Sequence, residues 1–366
     1  MEGTRLTLAR KMRGFSKKEL AELVKVTPKS IADYENDITN PSTEIEQRLI
    51  RALRFPEAFF NLHSTEPMPE EAISFRARTK LKRSQKDIAT AEATLATELS
   101  DWCNTKFNLP KTDVPTIEGV DPVLAAEMLR KEWKMGDGAI PNLLALLESH
   151  GIRIFFAGEI GKEVDAFSYW EPKTQCPYVF LTTSKSGERR RMDAAHELGH
   201  LVMHRNLDMG SSATKEIEAE ANRFASAFLM PKSTMLKYTP RGFSLRDAVV
   251  LKRRWKVSVA AFIYRSHDIG LLTDWQYHNL FKQLSAAGWR TDEPNAIIPE
   301  QSEVNKQVIT LLSKMPQKLS TASNETALPL ELCYQLLTGR SAQVVVGGKI
   351  YANRTCGQKT NLTVVL

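Results

Sequence analysis

The stretch His196-Glu197-Leu198-Gly199-His200 places two imidazoles four residues apart around a carboxylate. On a helix this spacing turns both rings to one face, where two nitrogens can bind one tetrahedral Zn2+. Glu197 follows the first histidine directly, so its carboxylate can reach a water at the metal, accept its proton and return that proton to a leaving amine. A catalytic zinc also needs a third protein ligand and a position open to water. The segment 215–231, KEIEAEANRFASAFLMP, has the pattern of an amphipathic helix with Ala221, Phe224, Ala225 and Phe228 as its packing stripe. It offers Glu216, Glu218 and Glu220. Glutamates two apart point to different faces, so they cannot all be ligands, and a solvated face is the ordinary role of such a run.

The run RMDAAHELGHLVMH from Arg191, followed by EAEAN and then FLMP, resembles the ImmA/IrrE family of zinc metallopeptidases, from about Gly151 to Pro231. The resemblance implies a zincin-like, gluzincin-type endopeptidase domain. It makes Glu218 the third ligand beside His196 and His200, Glu197 the catalytic base and Zn2+ the cofactor. Asn222 lies one turn beyond Glu218 on the same face, placed to hydrogen-bond a ligand and fix its orientation. Glu216 and Glu220 are read as surface residues, and His204, at i+4 from His200, as structural or as support for a ligand. Tyr169, Tyr178, Arg191 and His267 are available as oxyanion donors, and spacing singles out none of them. By analogy with zincins, the strand Tyr178–Thr182 is expected to bind an extended substrate by edge pairing.

A second motif lies at the amino-terminus. Ser16-Lys17-Lys18-Glu19 is a capping box, behind which Leu20, Leu23 and Val24 line one face. After a turn around Val26, Thr27 can cap a second helix with Pro28 at its first position, and Ile31 and Tyr34 continue the inner face. This is helix-turn-helix spacing. Such a second helix puts its first residues in the major groove, so Lys29, Ser30 and Asp33 would face base edges while Arg10, Lys17 and Lys18 meet phosphates. A plain helical bundle has the same spacing. The segment from Arg5 to Leu53, with ELA at Glu19–Ala21, the Ile31–Asn36 stretch and Asn40-Pro41-Ser42, resembles the XRE, or lambda-repressor-like, DNA-binding domain. The resemblance implies that Thr27–Tyr34 is the recognition helix, with Thr27 among the DNA-binding residues, and that double-stranded operator DNA is a partner. Residues 1–54 hold 11 Lys and Arg against 8 Asp and Glu. So modest an excess calls for a homodimer for tight operator binding.

These motifs need elements to hold them. Short helices are expected over residues 4–60, ending at the acidic, proline-bearing Ser64–Glu71; a basic stretch with Arg76, Arg78, Lys80, Lys82, Arg83 and Lys86 then leads into an Ala- and Leu-rich helix through Trp102. Helical spacing recurs over Leu124–Trp133, Ile140–Leu147, Arg189–His204, Lys215–Leu229, Leu245–Ser258 and Trp275–Ala287. Strands are expected at Arg153–Phe156, Ala166–Trp170 and Tyr178–Leu181, with weaker ones at Ala342–Val346 and Leu362–Leu366. The expected fold is mainly α with a small β-sheet (α+β): a helix-turn-helix domain at 1–62, a basic helical connector at 63–115, a metallopeptidase domain at 116–240, a helical extension at 241–300 and a region of unassigned role at 301–366. Residues 241–295 resemble the extension of fused XRE/peptidase regulators, and Trp255, Phe262, Tyr264, Trp275 and Tyr277 are read as core and domain contacts.

The chain has 366 residues, 42% hydrophobic and 25% charged, and a net charge of +7. This composition excludes disordered, collagenous and disulfide-stapled classes. Cys103, Cys176, Cys333 and Cys356 form no C-x-x-C pair, and the chain shows neither an apolar leader at its start nor an 18-residue apolar run. A cytoplasmic protein without a membrane partner is expected. The combined expectation is a DNA-binding regulator with zinc endopeptidase activity toward a repressor or antitoxin-like protein. Its rival is a transcription factor whose peptidase-like domain senses a ligand or binds zinc without catalysis, and a third reading is a toxin–antitoxin partner.

Overall fold

The computed structural model describes residues 1–62, 74–75, 83–157, 166–206, 214–314 and 319–340. In chain order the helices are α1 (Gly3–Met12), α2 (Lys17–Val24), α3 (Pro28–Glu35), α4 (Thr43–Leu53), α5 (Arg83–Lys106), α6 (Pro122–Glu132), α7 (Leu143–Ser149), α8 (Gly187–Met203), α9 (Thr214–Leu229), α10 (Lys232–Tyr238), α11 (Leu245–Trp255), α12 (Val259–Asp268), α13 (Asp274–Ala286), α14 (Glu303–Lys314), α15 (Ser320–Thr326) and α16 (Leu330–Thr338). The strands are short: β1 (Ser74–Phe75), β2 (Arg153–Ala157), β3 (Ala166–Trp170) and β4 (Pro177–Thr182). The protein is thus mainly helical with a small sheet, as its patterning predicts. Among the described residues, no helix is long and apolar enough to cross a membrane.

Two compact units divide the described residues. One draws on Met1–Pro110, Arg153–Val164 and Ser302–Leu366, the other on Lys111–Ile152 and Asp165–Gln301.

In the first unit, the start signals act as expected. Ser16 accepts from Glu19 N while the Glu19 side chain accepts from Ser16 N, and Thr27 accepts from Ser30 N with Pro28 at the first position of α3. Leu6, Ala9, Leu20, Ala21, Val24, Ile31, Leu49, Leu53, Phe59 and Phe60 fill the core between these helices. Gly3 is needed for the packing of α1 on α3, since a Cβ there would lie 2.5 Å from the carbonyl oxygen of Glu35. Arg10 is a correction to the sequence reading. It is buried, and it donates to Glu35 and to the carbonyl of Phe15 instead of facing a phosphate. Helix α5 packs on α1, joined by Arg5, whose Nη1 lies 2.8 and 2.9 Å from the carboxylate oxygens of Glu98. The buried amide of Asn305 on α14 donates to the carbonyls of Ile154 on β2 and Leu337 on α16, tying three separate segments together.

In the second unit, β3 and β4 form an antiparallel pair in which Phe167 faces Phe180 and Tyr169 faces Tyr178. Both ring pairs stack, at 4.4 and 5.1 Å between centroids. Alternation along β3 sends Ser168 to the opposite face. The buried Arg130 of α6 donates to the carbonyl of Phe228 at the end of α9, and Lys252 of α11 is buried between Glu188 and Glu293. The helix expected over 245–258 ends at Trp255, and a further helix, α12, follows it from Val259. Lys256 adopts a left-handed conformation (φ 55°) that ends α11, and Ser258 caps α12. Trp255 and Phe262 are core residues, whereas Tyr264 and Trp275 are 50% and 74% exposed, so these two do not fill the core role expected of them.

The boundary at Ser64–Glu71, the basic residues Arg76–Lys82 and the weak strands at Ala342–Val346 and Leu362–Leu366 lie outside the described residues.

Candidate functional site

Helix α8 starts at Ser186, whose side chain accepts from Arg189 N, and runs through the H-E-x-x-H segment with His196, Glu197 and His200 all buried. Helix α9 crosses it closely because Gly199 has no side chain: a Cβ there would stand 3.0 Å from Phe224 Cδ1 and 3.3 Å from Ala221 Cα. This approach carries Glu218 to the histidines. Its Oε2 lies 3.3 Å from His196 Nε2, its Oε1 lies 3.3 Å from His200 Nε2, and the two Nε2 atoms are 3.0 Å apart. Of the three glutamates on α9, Glu218 alone joins this cluster; Glu216 is exposed.

The donor set fits a metal cation. Asn222 Nδ2 donates to the carbonyl of Glu218, which leaves Asn222 Oδ1 to accept from His196 Nδ1 at 3.1 Å. His196 then presents an Nε2 lone pair to the cluster. Among the described residues, Glu218 Oε1 is a buried atom with no hydrogen-bond partner, facing that cluster. Burial raises the Glu218 pKa, but hydrogen bonds and charge from His196 and His200 in their protonated forms outweigh it and hold the carboxyl at about 2, so the group is anionic at neutral pH. Several acceptor atoms crowded together repel one another, and a shared cation removes the repulsion.

Two contacts at this site had no signal in the sequence. Ser168 on β3 donates to Glu197 Oε2 across 2.7 Å, holding the carboxylate that neighbours the first imidazole. Glu220, expected at the surface, reaches His204 with Oε2 2.9 Å from Nε2, while His204 Nδ1 lies 3.0 Å from His200 Nδ1. Burial pushes the His204 pKa down, against the pull of Glu220.

The oxyanion candidates do not converge. Arg191 is consumed by Glu300 and by the carbonyl of Ile140, His267 pairs with Asp274 at 2.7 Å, and Tyr169 and Tyr178 are buried in their stack. β4 is buried along its whole length, unlike the exposed edge expected for substrate pairing.

On the helix-turn-helix, Lys29 and Lys18 are exposed, Lys18 within 3.9 Å of Glu22. Lys17 Nζ lies 3.2 Å from Glu35 and is half exposed. Thr27 is exposed and spends its hydroxyl on the cap and on Ser30 Oγ at 2.8 Å, and Ser30 and Asp33 are half-buried.

Residues 147–267 match the family described as IrrE N-terminal-like domain, and residues 6–60 match the helix-turn-helix family. The fusion expected from the motifs is present, in the expected order. Among solved structures, a Mycobacterium tuberculosis transcriptional regulator aligns with 48% of this chain and 50% of that chain at 20% identity, with a TM-score of 0.31. The alignment spans about half the length of that protein. No curated protein matches the chain.

Proposed function

We propose that this chain, which joins a helix-turn-helix domain to an IrrE-like domain, is a zinc-dependent endopeptidase as well as a DNA-binding regulator, and that it cleaves a repressor or antitoxin-like protein. The observation that carries the proposal is the meeting of His196, His200 and Glu218 beside a buried Glu197. Zinc held by these three side chains would supply Lewis acidity toward a peptide carbonyl and toward water. Glu197 accepts the proton of the attacking water and delivers it to the leaving amine, and Ser168 keeps its carboxylate in place for both transfers. Asn222 orients His196. A purely structural zinc has no use for a base and recruits a fourth protein ligand, which favours catalysis over a sensing role.

In the DNA-binding half, Lys29, Ser30 and Asp33 on α3 read bases, Thr27 caps that helix at the groove, and Lys17 and Lys18 meet phosphates of double-stranded operator DNA, with a homodimer spanning two half-sites. Both activities place the protein in the cytoplasm.

The test compares wild type with Glu197→Gln for zinc content and for cleavage of a candidate repressor encoded nearby. Zinc is expected to be retained and cleavage lost. Equal cleavage by the variant would remove Glu197 from the mechanism, and a zinc-loaded wild type that cleaves no such protein would leave the sensing role in its place.

A further inference from the structure

His200 and His204 meet through like atoms, Nδ1 to Nδ1, 3.0 Å apart. For this to be a hydrogen bond, one ring must carry the proton and the other the lone pair. The far side of His204 decides which. There Nε2 lies 2.9 Å from Glu220 Oε2, and an ionised carboxylate only accepts, so His204 Nε2 carries the hydrogen. A neutral His204 then has a bare Nδ1, which accepts from His200 Nδ1–H. His200 is left with its lone pair on Nε2, aimed at the atoms that it shares with His196 and Glu218.

His196 arrives at the same tautomer by a separate route through Asn222. Two different neighbours, an amide on α9 and a carboxylate–imidazole pair linking α9 to the end of α8, thus prepare the two rings identically. The accepting groups differ in exposure: the His204 side chain is 3% exposed and that of Glu220 44%.

We propose that Glu220 and His204 are positioning residues that fix the tautomer and ring orientation of His200 before a metal arrives. This rests on the reading of His196, His200 and Glu218 as zinc ligands, but the tautomer itself is a property of the metal-free chain.

The experiment uses the full-length protein with 15N-labelled histidine, kept metal-free at constant pH, and reads the tautomer of each ring from two-bond 1H–15N correlations. Zinc affinity is measured in parallel by competition with a chromophoric chelator. Wild type is expected to hold His200 as the Nδ1–H form. His204→Leu and Glu220→Ala should lose that preference and weaken zinc binding roughly tenfold to a hundredfold, the range typical for groups that orient metal ligands. His204→Asn places an amide oxygen near the former Nδ1 position and should recover both the tautomer and most of the affinity. The relay is overturned if His204→Leu, folded by circular dichroism, keeps the wild-type tautomer and affinity, or if His204→Asn does no better than His204→Leu. A His196→Ala chain that binds zinc as tightly as wild type would instead overturn the ligand reading, with the tautomers still deciding the relay.

Discussion

Ser168 and Glu197 are 29 positions apart in the chain, yet the serine hydroxyl donates to the glutamate Oε2 across 2.7 Å, joining β3 to α8. Both residues are buried, with Ser168 at 1% exposure and Glu197 at 0%. A base that must accept a proton from one molecule and hand it to another works from a fixed position, and this bond supplies part of that fixing.

Ser168→Ala removes the bond and little volume. Zinc content should stay at the wild-type level while the turnover number for the repressor substrate drops about tenfold, less than the 10²–10⁴ that general acid–base catalysis contributes in full. Metal analysis and steady-state kinetics on the same preparation check this. An unchanged turnover number would mean that the carboxylate is held by other contacts.

Gly199→Val should separate α8 from α9. The added Cβ meets Phe224 Cδ1 at 3.0 Å and backbone at Ala221, and the branched methyls meet more. Overpacking of this kind costs about 1–3 kcal/mol. Because the same displacement draws Glu218 from the histidines, zinc affinity should fall together with the melting temperature, measured with and without metal.

The Glu218 carboxyl, held at about 2, should leave a pH signature in the metal-free protein. A carboxyl whose folded pKa lies below its ordinary value of 4.5 adds stability that is fully present above that value and is lost as pH falls toward 2. Glu218→Gln should remove this part of the acid dependence, leaving the variant less stable than wild type near neutrality and level with it in strong acid. Urea midpoints of the two metal-free chains between neutrality and strong acid would show it as converging curves.

Glu98→Ala should take from the buried Arg5 the carboxylate that its Nη1 meets. Removing one side of such a part-buried charged pair costs about 1–3 kcal/mol. Denaturant unfolding should register most of that loss, and Arg5→Met combined with Glu98→Leu should recover part of it, since packed apolar side chains need no partner.

Elements with local signals were legible in the sequence. The caps at Ser16 and Thr27 and the spacing of His196 and His200 each act within a few residues, and the helices that carry them lie close to their predicted positions. The end of α11 at Trp255, three residues short of the expected one, was hidden because the residue that ends it, Lys256, has no turn signature. Glu220 was hidden for another reason. Its partner His204 lies 16 positions earlier on a different helix, and an isolated glutamate on a helix flank looks the same whether it faces water or an imidazole. Arg10 erred in the opposite direction, since a basic residue near a recognition helix suggests phosphate until its carboxylate partner, 25 positions on, is seen.

The seam between α1 and α5 bears on how this protein can be dissected. A cut after residue 62 looks natural on paper, but it would unclothe the Ala- and Thr-rich flank of α5 and orphan Glu98, the mate of Arg5. The remnant would expose a greasy stripe where the amino-terminal helices had rested, and its misbehaviour in solution would say nothing about operators. Point changes such as Lys29→Ala on the exposed side of α3 question DNA recognition without opening that seam.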